Sequence, residues 1–105
     1  MVNYITSMDE FNTMLETSKS KAVIIDFTAT WCPPCKMIGP IFEGLAKEYT
    51  SIEFFKVDVD DAEEVAAKCG IQAMPTFQVF KDGAMVDEMK GASEPGLKAI
   101  LEKHK

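Results

Sequence analysis

Residues 22 to 29, AVIIDFTA, form an apolar, partly β-branched run with almost no position suited to water. A strand of that kind belongs inside a mostly parallel sheet, where helices cover both faces and every side chain is buried. The segments around it alternate accordingly. Val2 to Ile5 is a short strand candidate, and Ser7 with Glu10 fits a capping box opening a helix through about Leu15, with Met8, Phe11 and Leu15 on one face. After Cys35, the residues Ile38, Ile41, Phe42, Leu45 and Tyr49 recur at helical spacing, which predicts a long amphipathic helix. Pro40 falls inside it, and a kink rather than a stop is expected because the periodicity continues beyond it.

Ile52 to Val57 is the next strand, and Asp60 with Glu63 is expected to open a short helix ended by Gly70. Thr76 to Phe80 and Met85 to Met89 flank Asp82-Gly83, a strong hairpin signal, and a last helix carries Leu97, Ile100 and Leu101. The order βαβαβα followed by ββα implies parallel strands with right-handed crossovers and an antiparallel end, hence an α/β fold with one mixed sheet between helices. The 105 residues read as a single domain, residues 1 to 105, with one core. A chain of this length buries roughly two thirds of its unfolded surface on folding. It therefore needs no disulfide staple or structural metal, and its three cysteines are free for chemistry.

The net charge is −6, and no stretch gathers enough Lys or Arg to neutralise a row of phosphates, which argues against nucleic acid and anionic membrane as partners. No apolar run approaches the roughly 18 residues that span a bilayer, and Met1 to Glu10 lacks the basic-then-apolar pattern of a secretory signal. A cytoplasmic monomer is expected. In that reducing compartment a close cysteine pair points to metal binding or redox work.

Cys32 and Cys35 stand at the junction of the central strand and the long helix, at a spacing a disulfide can bridge on one helical turn. Pro33 suits the first helical position and pushes the residue before it out of helical geometry, which makes Cys32 the N-cap. A thiolate there faces the positive end of the helix dipole, which lowers its pKa, so Cys32 is the nucleophile candidate. Pro33 and Pro34 carry no amide hydrogen, leaving the Cys35 amide as the first donor for the Cys32 sulfur. Cys35, one turn deeper, is expected to be less exposed and to act second. A zinc site would need four ligands, and only the isolated Cys69 and His104 remain; haem attachment fails because Lys36 follows the pair.

Asp26 is an acid inside the apolar run. Burial would raise its pKa and let it exchange protons near neutral pH, whereas the plainer reading of the run alone is an acid satisfied by a backbone amide or a lysine. Both readings stand on the residues themselves.

DFTATWCPPCKMIGP followed by AMPTF resembles the thioredoxin family, and the likeness runs over essentially the whole chain. The resemblance implies a thioredoxin fold, a five-stranded mixed β-sheet covered by four helices. It implies reduction of disulfides in partner proteins, with Cys32 attacking, Cys35 resolving and Asp26 assisting the deprotonation of Cys35. Lys56 matches the family lysine that modulates this acid. A cis peptide is implied at Pro75, with the Met74 backbone pairing with an extended substrate as an added strand. Trp31 could be an ordinary core residue, but beside an exposed redox pair it reads as a shield for the sulfurs on an apolar docking surface; Gly91 and Ala92 match the family's small-residue loop on that surface, although Gly91 alone could be just a turn. No bound cofactor is implied, only the redox-active Cys32–Cys35 disulfide. The resemblance also implies recycling by an NADPH-dependent thioredoxin reductase; the chain itself offers no nucleotide-binding glycine fingerprint, which would leave the nicotinamide to that partner.

Pro33 departs from the family's CGPC and is reminiscent of the CPYC of glutaredoxins, which would make glutathione the reductant; Trp31, Asp26 and AMPTF favour thioredoxin. A binding or scaffold module without turnover is the non-enzymatic alternative. Cys69 reads as a partly buried hydrophobe at a helix end, with regulatory oxidation or intermolecular pairing as the alternatives. The cluster Asp58, Asp60, Asp61, Glu63 and Glu64 reads as a solvated helix start, His104 as a cation suited to a helix C-terminus, and the methionines as core fillers.

Overall fold

The computed structural model describes residues 2–105. In chain order the elements are β1 (Asn3–Tyr4), α1 (Met8–Thr17), β2 (Ala22–Thr28), α2 (Pro33–Glu48), β3 (Ile52–Asp58), α3 (Glu63–Lys68), β4 (Thr76–Lys81), β5 (Ala84–Lys90) and α4 (Glu94–His104). The strands form one sheet in the order β1-β3-β2-β4-β5. β3 runs parallel to both β1 and β2, β4 is antiparallel to β2, and β5 is antiparallel to β4. This is the five-stranded mixed sheet with four helices that the family resemblance implies.

The apolar run lies at the centre, as a strand buried on both faces must. Val23, Ile25 and Phe27 of β2 pack with Phe11 and Met14 of α1 and Val65 of α3, while Ile24 packs with Ile38, Phe42 and Leu45 of α2 and Leu97 and Leu101 of α4. Alternation along the strand therefore assigns one helix pair to each face. It also puts Asp26, two residues from Ile24, on the α2 and α4 face. α2 continues through Pro40 and buries Ile38, Gly39, Phe42 and Leu45, the side its apolar spacing marks out. Asp82 and Gly83, at φ 53° and 79°, make the turn between β4 and β5; two positive φ values are what a two-residue type I′ hairpin requires. Ser18, after α1, secures that turn, its carbonyl accepting from the Asp82 amide at 2.8 Å and its hydroxyl from the Gly83 amide at 2.9 Å.

Three local expectations are corrected. The Ser7 hydroxyl caps α1 by accepting from the Glu10 amide at 3.2 Å, but the Glu10 carboxylate reaches past Ser7 to the Thr6 amide at 2.7 Å, and the helix runs to Thr17 rather than Leu15. Met14, absent from the expected apolar face, is its most deeply buried residue at 1% exposure. Asp60 does not open α3. It lies in a turn in which the Asp58 carbonyl accepts from the Asp61 and Ala62 amides, so the N-cap falls at Ala62, with no side-chain cap hydrogen bond. The helix does close at Gly70, whose φ of +69° follows the C-cap Cys69.

Candidate functional site

The end of β2 delivers the chain to a short loop, and at Cys32 it turns into α2. Cys32 holds the extended conformation that a residue before proline prefers, φ −97° and ψ 107°, and is the N-cap of the helix. Its sulfur accepts from the Cys35 amide at 3.3 Å, the first amide the two prolines leave free. The two cysteines form a disulfide with their Cα atoms 5.3 Å apart, within the ordinary range for a bridge. The sequence predicts an exposed redox pair with Cys35 the less exposed of the two. Both are instead recessed, at 4% and 3% exposure, because Ala29, Val59 and Met74 close around them, and Cys35 is the less exposed only marginally. What distinguishes Cys32 is its position at the helix terminus and its opening toward Met74, whose carbonyl oxygen lies 3.8 Å from the Cys32 sulfur. With Cys32 in a disulfide, that sulfur has no proton to donate and the approach is a contact.

Met74–Pro75 is a cis peptide. The Pro75 carbonyl accepts from the Gly91 amide at 2.9 Å, which brings the Gly91-Ala92 loop beside the cysteine loop. Gly91 sits at φ +96°, a backbone conformation that glycine adopts without strain and side-chain-bearing residues rarely do, and Ala92 is half-buried against the core. Trp31 is 61% exposed, and its indole nitrogen donates to the Asp60 carboxylate at 2.8 Å. That bond holds the ring beside Cys32. Met37 is also half-exposed on the first turns of α2. It lies one helical turn beyond Pro33 and Pro34, both exposed, and does not fit the reading of the methionines as core fillers.

Asp26 is 1% exposed, and neither carboxylate oxygen has a hydrogen-bond partner. The reading of an acid satisfied by an amide or a lysine is thereby overturned. Burial pushes its pKa from 3.8 up to about 7; the Lys56 charge pulls it down and the Glu43 charge pushes it up, both less strongly. Lys56 is the register partner of Asp26 across β2 and β3, yet its ammonium bonds the Glu43 carboxylate at 3.0 Å.

Cys69 stands apart, half-buried among the residues of the α1 and α3 face, and burial pushes its thiol up to about 11. His104 does more than sit at a helix end: its Nε2 lies 2.8 Å from the Asp87 carboxylate, tying α4 to β5. Among the described residues, no group of three or more His, Cys, Asp or Glu side chains is placed to hold a metal ion.

The family model for thioredoxin matches residues 2–103. The chain belongs to the thioredoxin family. Among its relatives, the thioredoxin of Ictalurus punctatus is 48% identical over 107 residues, covering 100% of both chains, and that of Equus caballus is 48% identical over 101 residues, covering 96% of each. Among solved structures, Plasmodium falciparum thioredoxin superposes with a TM-score of 0.93 at 45% identity, over 99% of this chain and 100% of that one. Fasciola hepatica thioredoxin gives 0.95 at 41% identity, over the same shares. Family membership and the disulfide at the head of α2 together make the chain a thiol–disulfide oxidoreductase of the kind recycled by thioredoxin reductase.

Proposed function

We propose that this chain reduces disulfides in partner proteins through Cys32, with Cys35 as resolving thiol and Asp26 as proton acceptor. The observation that carries the reading is the placement of the Cys32 sulfur at the N-terminus of α2, accepting the Cys35 amide and opening toward the Met74 carbonyl. In the dithiol form, the helix dipole and that amide favour a Cys32 thiolate. The thiolate attacks one sulfur of a partner disulfide, forming a mixed disulfide and releasing the other sulfur as a thiolate. Cys35 then gives its proton to Asp26, attacks the Cys32 sulfur, and expels the second partner thiolate. Two electrons have passed to the partner, which takes up two protons, and the chain is left with the Cys32–Cys35 disulfide. Thioredoxin reductase, drawing on NADPH, returns it to the dithiol.

Substrate recognition falls to the surface around the disulfide. Trp31, Pro33, Pro34 and Met37 supply an apolar skirt, and the Met74 backbone offers an edge along which an extended substrate segment can align, with Gly91 and Ala92 beside it. Recognition of backbone rather than side chains suits many substrates. Lys56 adjusts the proton affinity of Asp26. Cytoplasm, as a reducing compartment, is the setting in which this cycle would run.

Pro33 separates this chain from the CGPC pattern, and the competing reading is glutathione-coupled turnover of the glutaredoxin kind. A disulfide-reduction assay decides between them. Turnover is expected with NADPH and thioredoxin reductase and only residual turnover with glutathione and its reductase; the reverse ratio overturns the proposal.

A further inference from the structure

Lys56 neighbours a buried carboxylate on its own sheet and yet pairs with a different, half-exposed one. Asp26 and Lys56 are register partners on adjacent parallel strands, so their side chains leave the same face of the sheet. On the other side, the β4 register partner of Asp26 is Phe77, which has no charge to offer. The Lys56 ammonium is held from the solvent side by two groups: the Glu43 carboxylate at 3.0 Å and the Tyr4 ring, whose centroid lies 5.9 Å away. Tyr4, Cys35, Gly39, Glu43, Lys56 and Asp58 line a cleft of about 330 Å³ at this place. The Asp26 carboxylate oxygens are not accessible and have no partner.

We propose that Glu43 is a positioning residue for the proton-transfer step: by engaging the Lys56 ammonium at the cleft mouth, it withholds a counter-ion from Asp26 and keeps that carboxyl able to take up the Cys35 proton. The inference rests on the reading of Asp26 as the acceptor of that proton. A fully engaged Lys56 would stabilise the Asp26 carboxylate and make it a poor base, whereas a Lys56 absent altogether would leave it protonated through the neutral range. Glu43 holds the lysine between these limits. The opposed effects of Lys56 and Glu43 on Asp26 agree with this arrangement. Other charged or titratable groups on this side are Asp58 of β3, Cys35 and Lys36 of α2, and Tyr4 of β1. α4 meets the same face through Leu97, Ile100 and Leu101, and none of its residues lines the cleft.

The test is the titration of Asp26, read from the side-chain carboxyl carbon of the oxidised protein labelled with 13C-aspartate. Glu43 lies on an exposed helix position where alanine is well tolerated, so Glu43→Ala retains the fold. Released from Glu43, Lys56 turns to Asp26, and the midpoint should fall by about one pH unit, a typical effect of an opposite charge brought close. In a Lys56→Met background the same Glu43→Ala change should produce a much smaller fall, since only the direct repulsion between the two carboxylates is then removed. An unmoved midpoint in Glu43→Ala, or equal shifts with and without Lys56, overturns the proposal. The titration involves no turnover. A failure of Asp26 as proton carrier, seen as an Asp26→Asn variant that resolves mixed disulfides at the wild-type rate, is therefore told apart from a failure of this linkage.

Discussion

Replacing Asp26 by asparagine should stabilise the oxidised protein at neutral and alkaline pH, and the gain should itself depend on pH. In the folded protein the carboxyl titrates at about 7, against 3.8 when unburied. Below about pH 4 the group is protonated in both states, and a neutral carboxyl and a neutral amide, alike in size, differ little in burial cost. Between about pH 4 and about pH 7 the unfolded chain ionises while the folded one holds its proton, so wild-type stability falls with rising pH. Above the folded value both states are ionised and the loss levels off. The interval from 3.8 to about 7 corresponds to about 4 kcal/mol, the full difference expected between the two ends of the titration. Asparagine does not titrate and escapes the loss. Urea or guanidinium unfolding of both proteins across this range, compared at each pH, measures it. A stability difference that stays constant with pH, or a wild type more stable than Asp26→Asn at alkaline pH, would refute the argument that this carboxyl is buried without a partner.

Brief iodoacetamide treatment of the reduced protein at neutral pH, followed by peptide mapping, should label Cys32 first and spare Cys69, whose thiol burial pushes up to about 11. Pro33→Gly should change the reduction potential and raise turnover with thioredoxin reductase while moving the melting temperature little. Proline restricts Cys32 and stiffens the face between the sulfurs but costs less backbone entropy on folding than glycine. Equilibration of both proteins in glutathione buffers, with reductase kinetics alongside, would expose a silent substitution as identical potentials and rates.

Much of this architecture is legible because its signals are local. AVIIDFTA can only be a doubly covered strand, Asp82-Gly83 supplies the two positive φ values of its turn, and Cys-Pro-Pro-Cys dictates an N-cap whose sulfur meets the Cys35 amide. The misread features depend on partners outside the spacing read. Asp60 and Glu63 have the spacing of a helix start, but Asp60 lies in the turn closed on the Asp58 carbonyl, and its carboxylate meets the indole of Trp31, 29 residues earlier. The sulfurs are recessed because Val59 and Met74 arrive from loops after β3 and before β4, which no spacing around Cys32 records. Asp26 and Lys56 look like an ion pair in register, and only the approach of Glu43 from α2 shows the lysine engaged elsewhere. Propensity and period describe a segment; a hydrogen bond across 29 residues is a property of the fold.

The order in which the two sulfurs act is the central claim, and trapping the mixed disulfide tests it most directly. Reduced Cys35→Ser protein is mixed with a disulfide-bonded substrate protein, quenched in acid, and mapped by mass spectrometry. Without the resolving thiol, the partner should remain covalently attached through Cys32, and the reduced Cys32→Ser protein should accumulate no comparable adduct. A partner attached through Cys69, or an adduct that forms with Cys32→Ser and not with Cys35→Ser, would contradict the account.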